Sequence, residues 1–243
     1  MYGWRARVGH ISASRGDAFV YEFYRMMPES FMLLNTTGRI RQLADDHIKR
    51  QLEFIEDGAI DLEQAGADVV IAGGSPMFTM MGYGSDAEVI RHIQSRLKVP
   101  FTLGITAEME SMRKLGIKKP VVVTPHRDDM NERMAQFLTK SGFEVKNIGG
   151  LGILKNAEIG SQHEYVSYRL ARKLFSESPD ADGIFLHCPR WPTIRTVTLL
   201  EEELGRPVVS SSQAMIWLCL KLIRVKVKID GWGKLMDTLN EAP

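Results

Sequence analysis

Short apolar runs alternate with helix-period stretches along the whole chain. The runs at residues 6–11, 30–34, 68–73, 101–103, 120–124, 143–148, 183–187 and 207–210 predict strands. Between them, apolar positions recur every three or four residues at 17–27, 40–65, 86–97, 107–115, 128–141, 164–176, 194–204 and 213–222, which predicts helices. Most of these strands lack in-and-out alternation. A continuously apolar strand followed each time by a helix predicts parallel sheets covered on both faces. The glycines at Gly149-Gly150-Leu151-Gly152 read as a turn.

The chain also repeats itself. Ala67-Asp68-Val69-Val70-Ile71-Ala72-Gly73-Gly74 runs in register with Ala181-Asp182-Gly183-Ile184-Phe185-Leu186-His187-Cys188. The following units match too, since Pro100 and Pro207 each open a strand and a helix begins about seven residues later. Two consecutive units in register point to duplication. The expected fold is α/β, with two similar lobes, each a four-stranded parallel sheet flanked by helices, related by a pseudo-twofold axis. Residues 1–115 with a returning segment 212–243 make the first lobe, and residues 116–211 the second, the crossover lying at 116–120. Open α/β sheets bind ligands beyond the carboxyl ends of their strands. Gly74 and Cys188 are therefore expected to face one cleft from opposite sides. The tail after Ile223 is basic, then amphipathic, and is expected to pack on the surface of the first lobe.

Composition narrows the function. Lys and Arg number 31 against 30 Asp and Glu, so no overall basic field recruits nucleic acid or anionic lipid. Two cysteines, Cys188 and Cys219, are too few for a disulfide framework or a four-cysteine zinc site. No apolar run reaches the roughly 18 residues of a membrane span. These features predict a cytoplasmic protein acting on a small molecule. No phosphate-binding G-x-x-x-x-G-K and no G-x-S-x-G elbow is present.

Cys188 is the leading candidate for chemistry. It ends an apolar strand and Pro189 follows, a residue well tolerated at the first position of a helix. At a helix N-terminus its thiol would be exposed to ligand and lowered in pKa. Cys219 lies inside an apolar helix and reads as core. Gly73-Gly74-Ser75-Pro76 forms the partner turn, where backbone N–H groups and the Ser75 hydroxyl can hold a carboxylate. His126 ends another strand and can donate a hydrogen bond or move a proton. Of Ser210, Ser211 and Ser212, one suits an N-cap and another can reach the cleft. Arg39 or Arg41 can clamp a carboxylate.

The segments 182–188, 206–212 and 128–133 resemble the arylmalonate decarboxylases. These belong to the aspartate/glutamate racemase superfamily, as do the maleate cis–trans isomerases. The resemblance implies a two-lobed fold and a cofactor-independent, metal-free reaction on a carboxylate or dicarboxylate. In the racemases and isomerases two cysteines oppose each other. Here Gly74 stands at one position and Cys188 at the other, the decarboxylase pattern. It implies decarboxylation of a malonate-type acid through an enediolate protonated by a single cysteine. Carried over by position, Ser75, His126 and the turn at Cys188 and Pro189 hold the substrate, with Ser14, Gly74, Arg39 and Ser211 completing the set. Ile40, Met77, Phe78 and Leu154 loosely match the apolar pocket. Three residues depart from the pattern: Pro76 replaces a hydroxyl donor, His126 a tyrosine and Pro189 a glycine. A maleate cis–trans isomerase or a racemase is the alternative, and an inactive carboxylate-binding homologue the second. A monomer or small homo-oligomer is expected.

Overall fold

The computed structural model describes residues 2–14, 18–38 and 45–240. Arg39, Ile40 and Arg41 lie outside them. In the first half, β1 (Ala6–Ser12), α1 (Ala18–Met26), β2 (Phe31–Thr37), α2 (Asp45–Gln64), β3 (Val69–Ala72), α3 (Ser75–Met81), α4 (Ser85–Gln94), β4 (Phe101–Leu103) and α5 (Gly104–Lys114) follow one another. The second half comprises β5 (Pro120–Thr124), α6 (Asp128–Lys140), β6 (Asn147–Gly150), α7 (Asn156–Gly160), α8 (Tyr165–Ser176), β7 (Gly183–Leu186), α9 (Ile194–Leu204), β8 (Val208–Ser210), α10 (Ser211–Leu222) and α11 (Lys234–Asp237), ending in a 3-10 turn at Thr238–Asn240. The strand orders are β2-β1-β3-β4 and β6-β5-β7-β8, and every pairing is parallel.

The repeated Ala-Asp pair has a shared structural job. Asp68 accepts a hydrogen bond from the Arg7 N–H at 2.7 Å, beside the start of β1. Asp182 accepts from the N–H groups of Lys118 and Lys119, the latter at 2.7 Å, just ahead of β5. Each aspartate thus ties the entry of one central strand to that of its neighbour, and a charged acceptor makes such a bond stronger than a neutral one.

The strands β3, β5 and β7 are buried along their whole length, which explains their lack of alternation. One core runs from the first sheet through α5 and α10 into one face of the second sheet, while a second core fills the opposite face. Helix α10 is apolar nearly all round and packs against α5, β3 and α1. The tail is a surface segment only in its basic part, where Arg224, Lys226 and Lys228 are exposed. Leu235 and Met236 are fully buried, and α11 packs on α10 and β8, with the Lys234 N–H donating to Glu201 of α9 at 3.0 Å.

Several boundaries move for identifiable reasons. The turn expected at Gly149-Gly150 is the end of β6. A Cβ at Gly150 would lie 2.1 Å from the His126 carbonyl oxygen, and one at Gly149 would lie 2.9 Å from Leu174. These glycines admit close packing at a sheet edge, a role distinct from turning the chain. Helix α3 replaces the expected simple turn at 73–76, and Pro76 marks its first turn. Helix α7 was not predicted, and α5 starts three residues early.

The two halves are joined by a buried carboxyl. Glu22 of α1 accepts from the N–H groups of Thr193 and Ile194, at 2.8 and 3.1 Å, where α9 begins. Its other oxygen and the Ser212 hydroxyl make no hydrogen bond of normal geometry, although the hydroxyl lies near enough to offset part of the effect of burial on the carboxyl. Burial pushes the Glu22 pKa up to about 7 from 4.5. The folded state therefore holds this proton more tightly than the unfolded chain. Its stabilising contribution is complete below pH 4.5 and is lost as pH rises through about 7. Glu22→Gln keeps one acceptor, removes the ionisation and gives the Ser212 oxygen a donor. It is expected to stabilise the protein by about 1–2 kcal/mol at pH 8 and by much less at pH 5, read from denaturant midpoints at the two pH values.

Candidate active site

The equivalent strands β3 and β7 run into Gly73-Gly74 and His187-Cys188. Gly74 has φ 106° and Cys188 has φ 98°. The same backbone bend recurs at the equivalent place in both halves. Glycine adopts it freely, whereas at a residue with a side chain it costs of order 1–3 kcal/mol. A cavity of about 420 Å³ opens between the two turns, with Gly74 and Cys188 both on its wall. Ser14, Ser75, His126 and Pro189 line it as well. Of the apolar wall, Met77 and Leu154 line it while Phe78 is buried behind.

Cys188 is not at a helix N-terminus. The chain turns through Pro189 and Arg190, and α9 starts only at Ile194. The residue is 7% exposed, and burial pushes its thiol pKa up. Arg190 and the N–H groups of Arg190 and Trp191 oppose that shift without reversing it. The expected lowered pKa is therefore replaced by a raised one, and the thiol keeps its proton at neutral pH. A pH series of iodoacetamide labelling at Cys188 tests this. The rate is expected to stay low through pH 8 and to climb only above about pH 9, beyond the ordinary cysteine value. Cys219 lies fully buried in α10, away from the cavity, its thiol pushed far up by burial alone.

Three histidines face the same space: His10 within β1, His126 after β5 and His187 after β7. Burial, helped by Arg190 and His187, brings His126 down to about 3, and burial brings His10 down to about 4. Both imidazoles are neutral at pH 7 and offer one N–H each. The His10 Nδ1 lies 2.7 Å from Asn35 Oδ1, leaving its Nε2 without a partner. His126 Nε2 is likewise buried and unpartnered. The rings of His126 and His187 are 5.4 Å apart.

Beneath the cavity lies Glu108 of α5, 1% exposed. Its Oε2 accepts from the Ser75 hydroxyl at 3.2 Å and its Oε1 from the Ser211 hydroxyl at 2.6 Å. Ser211 Oγ in turn accepts the Cys188 N–H at 2.9 Å. His187 Nδ1 lies 3.3 Å from Oε1. One carboxyl group thus holds the turn after β3 and the turn after β7 together. Ser211 is fully buried below the cavity wall, and Ser210 is the N-cap of α10, in a capping box with Gln213. The Ser75 proton is committed to Glu108, which leaves His126 as the better-placed donor at the cavity.

Arg190 also lines the cavity. Its Nη2 donates to the Ser14 carbonyl oxygen at 2.9 Å. Among the described residues no carboxylate pairs with it. Glu108, Arg190 and His10 were not among the residues that the sequence assigned to the site, and His187 stood only as a substitute base for the racemase alternative. Glu108 had a readable signal. It lies three residues after Ile105 and four before Met112, on the buried stripe of α5. Among the described residues, no group of three or more His, Cys, Asp or Glu is arranged to hold a metal ion, and no helix is long and apolar enough to cross a membrane.

Comparison with known proteins is consistent with this geometry. The family model described as arylmalonate decarboxylase matches residues 21–236. An arylmalonate decarboxylase of Bordetella bronchiseptica is 30% identical over 187 residues, covering 76% of this chain and 78% of that protein. A maleate isomerase of Geobacillus stearothermophilus is 24% identical, covering 86% and 85%. The solved structure of unliganded arylmalonate decarboxylase superposes with a TM-score of 0.84 at 26% identity, covering 96% of this chain and 99% of that one.

Proposed function

The chain belongs to the arylmalonate decarboxylase family, and from that premise we propose that it is a cofactor-independent decarboxylase of a malonate-type acid. The observation that carries this is the single thiol at the cavity, with glycine at the equivalent position across it. Two opposed thiols can take a proton from one face of a carbon and return it to the other. One protonated thiol is suited to delivering a proton only.

The steps follow from the residues. The substrate carries two carboxylates on one carbon. One leaves as CO2 when its C–C bond breaks, and the electron pair is left on that carbon, delocalised into the remaining carboxylate as an enediolate. Apolar walls such as Met77 and Ile159 disfavour the departing charge before it is lost. Hydrogen-bond donors that tighten as the enediolate forms lower the barrier. His126, neutral and unpartnered at Nε2, supplies one such donor where the family pattern has tyrosine. The Cys188 S–H then gives its proton to the carbon, and water restores the thiol.

CO2 release from 2-substituted malonates, followed against pH, tests the proposal. Turnover that is flat to about pH 9 and falls above it is expected of a thiol acting as acid. Conversion of maleate to fumarate, rising with pH as a thiolate nucleophile forms, would assign the protein to isomerisation instead.

A further inference from the structure

We infer that Arg190 anchors a third carboxylate of the substrate, so that the malonate carries a carboxylate on its substituent where an aryl ring would otherwise stand. The inference rests on the decarboxylase reading for its chemistry but on separate observations for its geometry. Arg190 is a cation at the wall of a cavity, bound by one carbonyl oxygen and paired with no carboxylate among the described residues. A guanidinium offers five donors in a planar fork, and most of these are unused here. Burial weakens its hold on its own proton, and the one group beside it that could oppose that as an anion, the Cys188 thiol, is protonated at neutral pH. Arg190 is half-buried at the cavity wall, and a partly desolvated cation without a counter-ion gains from an incoming anion.

The surroundings agree. Ser12 Oγ donates to the same Ser14 carbonyl oxygen at 2.6 Å, and Asn156 Nδ2 lies 3.4 Å from Ser14 Oγ. Ser12, Ser14, Asn156 and Arg190 thus make one hydrogen-bonded polar corner of the cavity. An aromatic ring would bury these groups without replacing their bonds. The anion held by Arg190 is also distinct from the leaving carboxylate. A guanidinium beside that group would hold its charge in place and oppose its departure. The retained carboxylate belongs with the donors near His126. A third carboxylate remains for Arg190.

The test compares ethane-1,1,2-tricarboxylate, which yields succinate on losing CO2, with phenylmalonate. The intact protein is expected to prefer the tricarboxylate. Arg190→Gln should lower kcat/KM for the tricarboxylate at least about 30-fold more than for phenylmalonate, with Arg190→Lys between them because it keeps charge but loses the fork. Calorimetric binding of succinate, which needs no turnover, should weaken by a similar factor in Arg190→Gln while phenylacetate binding changes little. Equal losses on both malonates, or unchanged succinate binding in a folded Arg190→Gln protein, would overturn the inference. If neither malonate is decarboxylated yet succinate binding still depends on Arg190, the anion site stands and the decarboxylase reading falls.

Discussion

Cys188→Ala is expected to lower kcat for CO2 release by about 10³-fold, with KM changed only a few-fold. A positioned general acid contributes roughly 10²–10⁴ in rate, and no second thiol stands at the cavity to take over. Alanine is the conservative choice because it keeps the side-chain strain of the φ 98° backbone. Cys188→Gly makes a sharper control. Glycine accepts that backbone without penalty, so this variant is expected to be as inactive as alanine yet more stable by about 1 kcal/mol. An inactive protein with a raised melting temperature cannot owe its inactivity to unfolding. Retained turnover in either variant would remove Cys188 from the mechanism.

The second large effect is expected at Glu108. Glu108→Ala leaves the hydroxyls of Ser75 and Ser211 without their acceptor in a buried site. Each unsatisfied buried group costs about 1–3 kcal/mol, so a loss of about 3 kcal/mol or more in unfolding free energy is expected. Glu108→Gln retains one acceptor oxygen and should fold, and it isolates the positioning role. Its kcat is expected to fall by at least about tenfold, because the Ser211 hydroxyl that holds the Cys188 N–H loses its fixed orientation. It also removes a negative charge that helps push the Cys188 thiol up. The pH profile of Cys188 labelling should therefore shift to lower pH in Glu108→Gln, a change that general loosening would not produce. An unmoved profile would confine Glu108 to scaffolding.

What the sequence disclosed and what it hid follow a physical division. The repeat from Ala67 and Ala181 was readable because a duplicated βα unit must bury the same strand and tie its entry with the same aspartate. Cys188 was readable because a strand end in an open α/β sheet meets the cleft. The state of its thiol was not. That depends on where α9 begins, and the chain spends Pro189 to Thr193 on an irregular turn first. Glu108 showed as a carboxyl on an apolar stripe, but its role was hidden by distance: its partners Ser75 and Ser211 lie 33 and 103 residues away in sequence. Arg190 gave no local sign, since arginine is mostly an exposed residue and only the fold brings the Ser14 carbonyl beside it. Gly149 and Gly150 misled in the other direction, because glycine marks close approach as well as turning.

The matching bends at Gly74 and Cys188 carry one more consequence. Two equivalent places in the scaffold, facing each other across the cavity, can accept a proton source, and only one is filled. A planar intermediate held between them is reached from a single side. Where that intermediate carries two unlike substituents, the product should leave as one enantiomer, its handedness written by which half of the duplicated chain kept the sulfur.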